Sequence, residues 1–344
     1  YLTYPTDWAY GYTSNVRDYV AKSRGAQPSA LPSLDAALSA LAKQHATGGF
    51  VLWDPTGGPS ARGSLLAALT AAGVEGALVA TPAHQPVLER LGLRLVDGGD
   101  FTTRFRNMTD AQIHTWQKQA YWGRTSKEQI LWLGGECHTQ VRPAIADVGV
   151  QRGLFFTDLS TRPLPPPVGT TEYDLADSLV AEASKACVAS GAPPLTVMGW
   201  HSYCKDFEHT FVTLTSRHGA RVHGLNTNPN LSFMSQLPLK QGFTFRNRPL
   251  LAAPPAPKVA TPGSTAVATG KAGAAGAAGA VPDVAMVFVQ TDGIGLGAWN
   301  KPSRGSLPYA WEVTLPDLEI QPALLEMFYE VATANDTFVA CLSG

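Results

Sequence analysis

The 344-residue chain is 44% hydrophobic, enough for a sizeable core and long enough for two domains. Lys and Arg number 26 against 27 Asp and Glu, a formal net charge of -1, which excludes the basic excess a nucleic-acid or anionic-membrane binder needs. No apolar run approaches the roughly 20 residues that span a bilayer, and 15% charged residues with 33 Gly and 26 Pro describe a loop-rich globular chain.

The opening Tyr1-Leu2-Thr3-Tyr4-Pro5 has neither a basic nor an apolar signal region, nor an initiator Met, so this end is expected to be processed or truncated. Gly49 to Asp54 reads as a buried strand. Ser60 to Ala72 follows as a helix with Leu65, Leu66 and Leu69 on one face, closed by Gly73. Strand 76–80, helix 82–91 and strand 93–97 continue the alternation. Thr109 is placed to N-cap a helix through Tyr121, with Asp110 in its first turn. Strands are predicted over 130–133 and 154–159. This β-α-β-α rhythm implies a mostly parallel sheet with helices on its faces.

Pro163 to Gly169 can hold neither a helix nor a central strand and reads as a connector. The expected domains are therefore 1–170, an N-terminal α/β region, and 171–344. The second opens with a long helix over Thr171 to about Ser190, then strand 195–200, helix 206–218 and strand 220–225. Residues 252–283 are nearly all Ala, Gly, Pro, Ser and Thr and read as a flexible surface insert. Strand 284–290, helix 322–334 and strand 337–340 complete the pattern.

Two polar clusters fall at predicted strand ends, where α/β sheets and barrels place their sites. The first is His201, Ser202, Tyr203, Cys204, Lys205, Asp206 and Glu208 after Trp200. The second is Asp292 with the glycine loop Gly293-Ile294-Gly295-Leu296-Gly297. Asn226, Asn228 and Asn230 form a third group. Asp292-Gly293 suits either a carboxylate for acid–base work or an ordinary turn. The glycine spacing falls short of a dinucleotide loop, and no helix N-terminus follows to hold a pyrophosphate. His201, Cys204 and His209 have metal-ligand chemistry but lack a second cluster, so they read as loop and helix surface. Neither a metal nor a cofactor is expected. Trp299, Tyr309 and Trp311 suit either sugar stacking or core packing.

Cys137, Cys187, Cys204 and Cys341 form no C-x-x-C pair; buried thiols and one or two disulfides both fit. Three N-glycosylation sequons, at Asn107, Asn230 and Asn335, favour a secretory route and an extracellular or cell-surface location.

Several stretches together resemble the GxGYxYP glycoside hydrolase family. They are Val51-Leu52-Trp53-Asp54-Pro55, Leu66 to Gly76, Leu91-Gly92-Leu93 with Asp97, Val197-Met198-Gly199-Trp200, Thr215 to Gly219 and Asn228 to Ser232. The most specific run is Phe288 to Gly344, with Asp292-Gly293, Arg304 to Pro308, Trp311-Glu312-Val313, Pro316 and Asn335 to Val339. The resemblance implies an N-terminal α/β region followed by a TIM-like α/β barrel, and carbohydrate processing. In the family the final stretch leads into the GxGYxYP signature, so the chain is expected to be a portion of a longer protein.

The family pattern implies a second carboxylate two residues after Asp292, where this chain has Ile294. A glycosidase needs two carboxyl groups. If the chain is catalytic, Asp292 carries the essential carboxylate, with Glu312 and Glu208 as candidate partners and Asp206 a further one. Trp200, His201, Asn228, Trp299 and Trp311 are the candidate substrate contacts. The expected partner is a polysaccharide or glycoprotein glycan. The rival reading is an inactive hydrolase-like scaffold that binds other extracellular proteins.

Overall fold

A computed structural model describes residues 13–27, 29–44, 49–135, 145–163, 171–224, 230–248, 286–291, 294 and 296–340. These fall into two compact units. The first holds residues 1–239 with 316–324, and the second most of 240–343.

The first unit opens with helices α1 (Thr13–Arg24) and α2 (Leu34–Gln44). Strands β1 (Gly49–Leu52), β2 (Ala77–Ala80) and β3 (Leu95–Asp100) then alternate with α3 (Ala61–Glu75) and α4 (Gln85–Arg90). The three strands form a parallel sheet in the order β2-β1-β3. All four β1 residues are buried, as expected of a parallel strand covered on both faces.

Helix α5 (Asp110–Tyr121) leads to a second sheet. Its strands are β4 (Gln129–Gly135), β5 (Phe155–Thr157), β6 (Thr196–Ser202) and β7 (Arg221–His223), in the order β5-β4-β6-β7 and all parallel. Helices α6 (Ala146–Gln151), α7 (Glu172–Ser190), α8 (Glu208–Arg217) and α9 (Leu231–Met234) connect or follow them. Leu175, Leu179 and Val180 of α7 and Phe211 of α8 cover one face, against Ile130, Trp132, Phe155 and Val197. The other face, with Leu131, Phe156 and Met198, packs on Leu66 and Leu69 of α3 and Val148 of α6. This sheet takes strands from both sides of residue 170, so the expected domain boundary falls inside it.

Helix α3 explains how the two sheets share one unit. Its Leu66 and Leu69 join the core of the four-stranded sheet, while Ala67, Ala68, Ala71 and Ala72 pack with Val51, Phe101 and Ile113. A helix covered on both sides is apolar all round. The sequence pattern suggests a single apolar face closed by Gly73, but the helix continues to Glu75. Gly73 instead lets α6 approach, since a Cβ there would stand 3.0 Å from the Val150 carbonyl. The stop is Gly76, whose left-handed φ of 63° is the usual C-terminal cap geometry. The predicted cap of α5 is present: Thr109 forms a capping box with Gln112, and Thr171 forms one with Asp174 at the start of α7.

The second unit contains β8 (Val289–Gln290), α10 (Leu296–Trp299), β9 (Tyr309–Val313) and β10 (Asp336–Ala340). Its three strands form a parallel sheet in the order β10-β9-β8. Helices α11 (Leu315–Ile320) and α12 (Pro322–Val331) lie between β9 and β10 in sequence. An aromatic core joins Trp299, Trp311, Phe328, Tyr329 and Phe338. Among the described residues the sheets are three open ones, and no closed barrel is present. The 252–283 insert lies outside the described residues.

Candidate functional site

The carboxyl edge of the four-stranded sheet gathers the buried ionisable groups. The chain leaves β4 toward β5 on one side, while β6 leads to β7 on the other. The carboxyl ends of β4 and β6 therefore flank the point where strand order reverses, the usual ligand crevice of an open α/β sheet. Gly134 and Gly199 let these strands approach closely. A Cβ on Gly134 would stand 2.2 Å from the Trp200 carbonyl oxygen, and one on Gly199 2.2 Å from that of Trp132.

Asp158 follows β5 directly and is fully buried. Arg62, from the first turn of α3, forms an ion pair with its carboxylate and donates from Nη2 to the Leu133 carbonyl at 2.9 Å. Lys205, in the turn after β6, holds three carboxylates on one ammonium. Glu172 lies at 3.0 Å and Asp158 at 3.4 Å, and Asp110 makes a closer contact. Burial alone would raise the Asp158 pKa, but the charges of Lys205 and Arg62, with His114, hold it below its ordinary value of 3.8. Lys205 is the mirror case: burial opposes its charge, and Asp158, Asp110 and Glu172 raise its pKa.

His114 sits beside this network, with Nε2 4.0 Å from Asp158. Burial lowers its pKa, with Asp158 pulling the other way. The neutral ring donates from Nδ1 to the Asp110 carbonyl at 2.9 Å, which leaves Nε2 unprotonated. Asp206 is also buried and accepts from Ser160 Oγ at 2.7 Å and from the Thr161 N–H at 2.9 Å. Glu172 accepts from the Ser160 N–H at 2.8 Å. Lys205 and Asp206 thus tie the loop after β6 to the loop after β5.

Of the sequence-predicted residues, His201 ends β6 as a buried ring against Trp200, Tyr203 and Phe211. Among the described residues neither ring nitrogen has a hydrogen-bond partner, and burial lowers its pKa. Trp200 is half-buried, and Glu208 is exposed in the first turn of α8. Asp292 and Asn228 lie outside the described residues.

In the second unit, Glu312 is half-buried on β9. Trp299 and Trp311 are buried, their ring centroids 5.0 Å apart, in the packing arrangement rather than as open platforms. Trp311 donates to Asp336 at 2.8 Å, and Arg304 pairs with the same carboxylate at 2.6 Å while lying over the Trp299 ring. Burial would raise the Asp336 pKa, but the Thr333 N–H, Trp311 and Arg304 lower it.

Arg62, Asp110, His114, Asp158 and Glu172 are absent from the sequence-derived candidates. Only Asp158 carries a sequence signal, as a carboxylate at the end of an apolar strand. Cys187 is a buried free thiol, whereas Cys204 is disulfide-bonded. Among the described residues no group of side chains is arranged to hold a metal ion, and no helix is long and apolar enough to cross a membrane.

The buried histidines imply a pH dependence with a definite sign. Burial, with Arg221 nearby, lowers the His223 pKa from 6.5 to about 4. Between those values the unfolded chain binds the proton and the folded chain does not, so stability falls on acidification. His114 and His201 act in the same direction. Asp158 and Asp336 contribute stability that is full above 3.8 and is lost as pH falls through their lower folded values. The thermal midpoint should therefore decline from pH 7 to pH 4, and His223→Gln should flatten part of that decline. A wild-type midpoint constant over this range would contradict the assignment.

Comparison with family models matches three successive segments. Residues 47–125 match the GxGYxYP_N second domain and 127–236 the GxGYxYP third domain. Residues 283–344 match the GxGYxYP putative glycoside hydrolase C-terminal domain. The first two segments correspond to the two sheets of the first unit. Comparison with curated proteins gave no match. Among solved structures, a putative hydrolase from Bacteroides thetaiotaomicron aligns with a TM-score of 0.67 at 15% identity. The alignment covers 96% of this chain and 55% of that one, so the chain spans about half the length of its structural neighbour.

Proposed function

This chain belongs to the GxGYxYP putative glycoside hydrolase family, and on that premise we propose that it is a carbohydrate-active protein. It binds or hydrolyses a polysaccharide or glycoprotein glycan. The observation that carries this reading is the ordered match of three family segments along the chain. Asp292, two residues after β8 in sequence, supplies the essential carboxylate. Glu312, in the same unit, remains its candidate partner. The parallel β8-β9-β10 sheet with its helices supports a place in a TIM-like barrel. The disulfide at Cys204 supports passage through an oxidising compartment, and with it an extracellular or cell-surface location.

The test is glycan release from a panel of polysaccharides and glycoproteins, comparing the wild type with Asp292→Asn. Turnover should fall by roughly 10²-fold or more in the variant. Equal turnover in both would remove Asp292 from the mechanism.

A second reading, a non-catalytic scaffold, has a specific observation in its favour. A glycosidase needs two carboxyl groups, and Ile294 stands where the family pattern has the second. Retained glycan binding without turnover on any panel member would select this reading.

A further inference from the structure

We propose that Asn107 is the N-glycan attachment site of this protein and that the fold excludes Asn335 from that role. The sequence offers three acceptor sequons, at Asn107, Asn230 and Asn335. The structure treats them differently.

Asn107 lies in the loop between β3 and α5, within a turn closed by the Met108 N–H donating to the Phe105 carbonyl at 3.0 Å. It occupies the third position of that turn with φ of 62°. A turn requiring positive φ there selects Gly or Asn, so the local backbone accounts for this residue type. Asn107 is exposed, and its carboxamide makes no hydrogen bond with the described residues. Arg106 beside it is exposed as well, so a bulky substituent meets solvent.

Asn335 is the opposite case. It is half-buried in the turn before β10, and its Nδ2 donates to the Gly305 carbonyl at 2.8 Å. Gly305 has φ of 83°, and a Cβ there would stand 2.8 Å from Thr333, so the turn is tightly packed around this bond. The amide nitrogen that would carry the sugar is thus used to hold the fold. The acidic Asp336 is the middle residue of that sequon and is itself buried by Trp311 and Arg304. Asn230 is half-buried with left-handed φ of 60° at the start of α9.

The transfer balances as follows. The Asn107 carboxamide nitrogen attacks the anomeric carbon of an oligosaccharide carried on a lipid diphosphate. The anomeric C–O bond breaks, the lipid diphosphate departs with the electron pair, and one amide proton passes to a base of the transferase. Transfer happens on the emerging chain, and the fold then decides which modified chains survive. A glycan on Asn107 hangs from an exposed turn; one on Asn335 must be accommodated in a half-buried, tightly packed turn whose amide nitrogen already donates to Gly305. The inference uses the secretory reading only for the native compartment; the geometry at the two asparagines stands independently.

The experiment is secretion of the full chain from a eukaryotic host behind a heterologous signal sequence, followed by glycopeptide mass mapping of the folded fraction. We expect a glycan at Asn107 and an unmodified Asn335. Asn107→Gly keeps the left-handed turn and removes the acceptor, so it should be secreted folded and without that glycan. Thr109→Ser keeps both the sequon and the cap of α5, and should retain it. A bare Asn107 in the folded wild type would overturn the proposal. So would occupancy of Asn335 equal to that of Asn107. The readout is mass, so its result is separate from that of the glycan-release assay.

Discussion

Asp158→Asn should destabilise the first unit by about 3–5 kcal/mol, the usual cost of removing one partner from a buried ion pair. The substitution keeps the shape of the side chain and removes its charge. Lys205 retains Asp110 and Glu172, so its ammonium stays compensated. Arg62, whose side chain is 13% exposed, loses its ion pair with Asp158 and keeps its bond to the Leu133 carbonyl. The cost comes from breaking that buried pair. Arg62→Met and Asp158→Asn remove the same interaction, so their effects should be clearly non-additive. Denaturant unfolding measures the sum, and hydrogen exchange at β4 and β5 locates it. A loss under about 1 kcal/mol, with additive single effects, would show that the pair is not structurally important.

The same cluster shows where sequence reasoning stops. The strands of the first unit announce themselves as short apolar runs with helices between them, and the Thr109 cap is readable because a cap is a local event. Lys205 and Asp206 stand out as a polar run after an apolar strand. Their partners come from positions 110, 158, 160, 161 and 172, Arg62 and His114 join through Asp158, and nothing local marks Arg62 as different from any other arginine in a helix. Only the parallel topology brings these segments to one edge.

Other elements escaped for equally physical reasons. Helix α1 offers Val16 and Val20 as its buried residues, a stripe too thin to stand out. Strand β9 reads first as a group of aromatics, since Tyr309 and Trp311 fit a core and a sugar platform equally well. Burial decides between those uses, and burial is not written in composition. The Gly73 stop failed because a glycine can end a helix or admit a neighbour, and here it does the second.

Gly134→Ala should be among the most damaging single methyls in the first unit. The added Cβ would lie 2.2 Å from the Trp200 carbonyl oxygen and 2.2 Å from the His201 carbonyl carbon. These are backbone atoms of the neighbouring central strand, so no rotamer change relieves the contact. Typical overpacking costs about 1–3 kcal/mol because side chains can yield. Here β4 and β6 must separate at the carboxyl edge, and the hydrogen bonds between them weaken with the separation. A loss of about 3 kcal/mol or more is expected, with poor soluble yield. Gly134 has no left-handed φ, so the effect is steric and not a matter of backbone preference. Gly123→Ala is the control, since it also lacks a left-handed φ and a Cβ there meets nothing within 4 Å. It should leave the unfolding midpoint nearly unchanged. Equal midpoints for the two variants would mean that β4 and β6 can part at their carboxyl ends without cost, and the crevice there would then be a loose edge of the sheet and not a rigid frame for the Asp158 network.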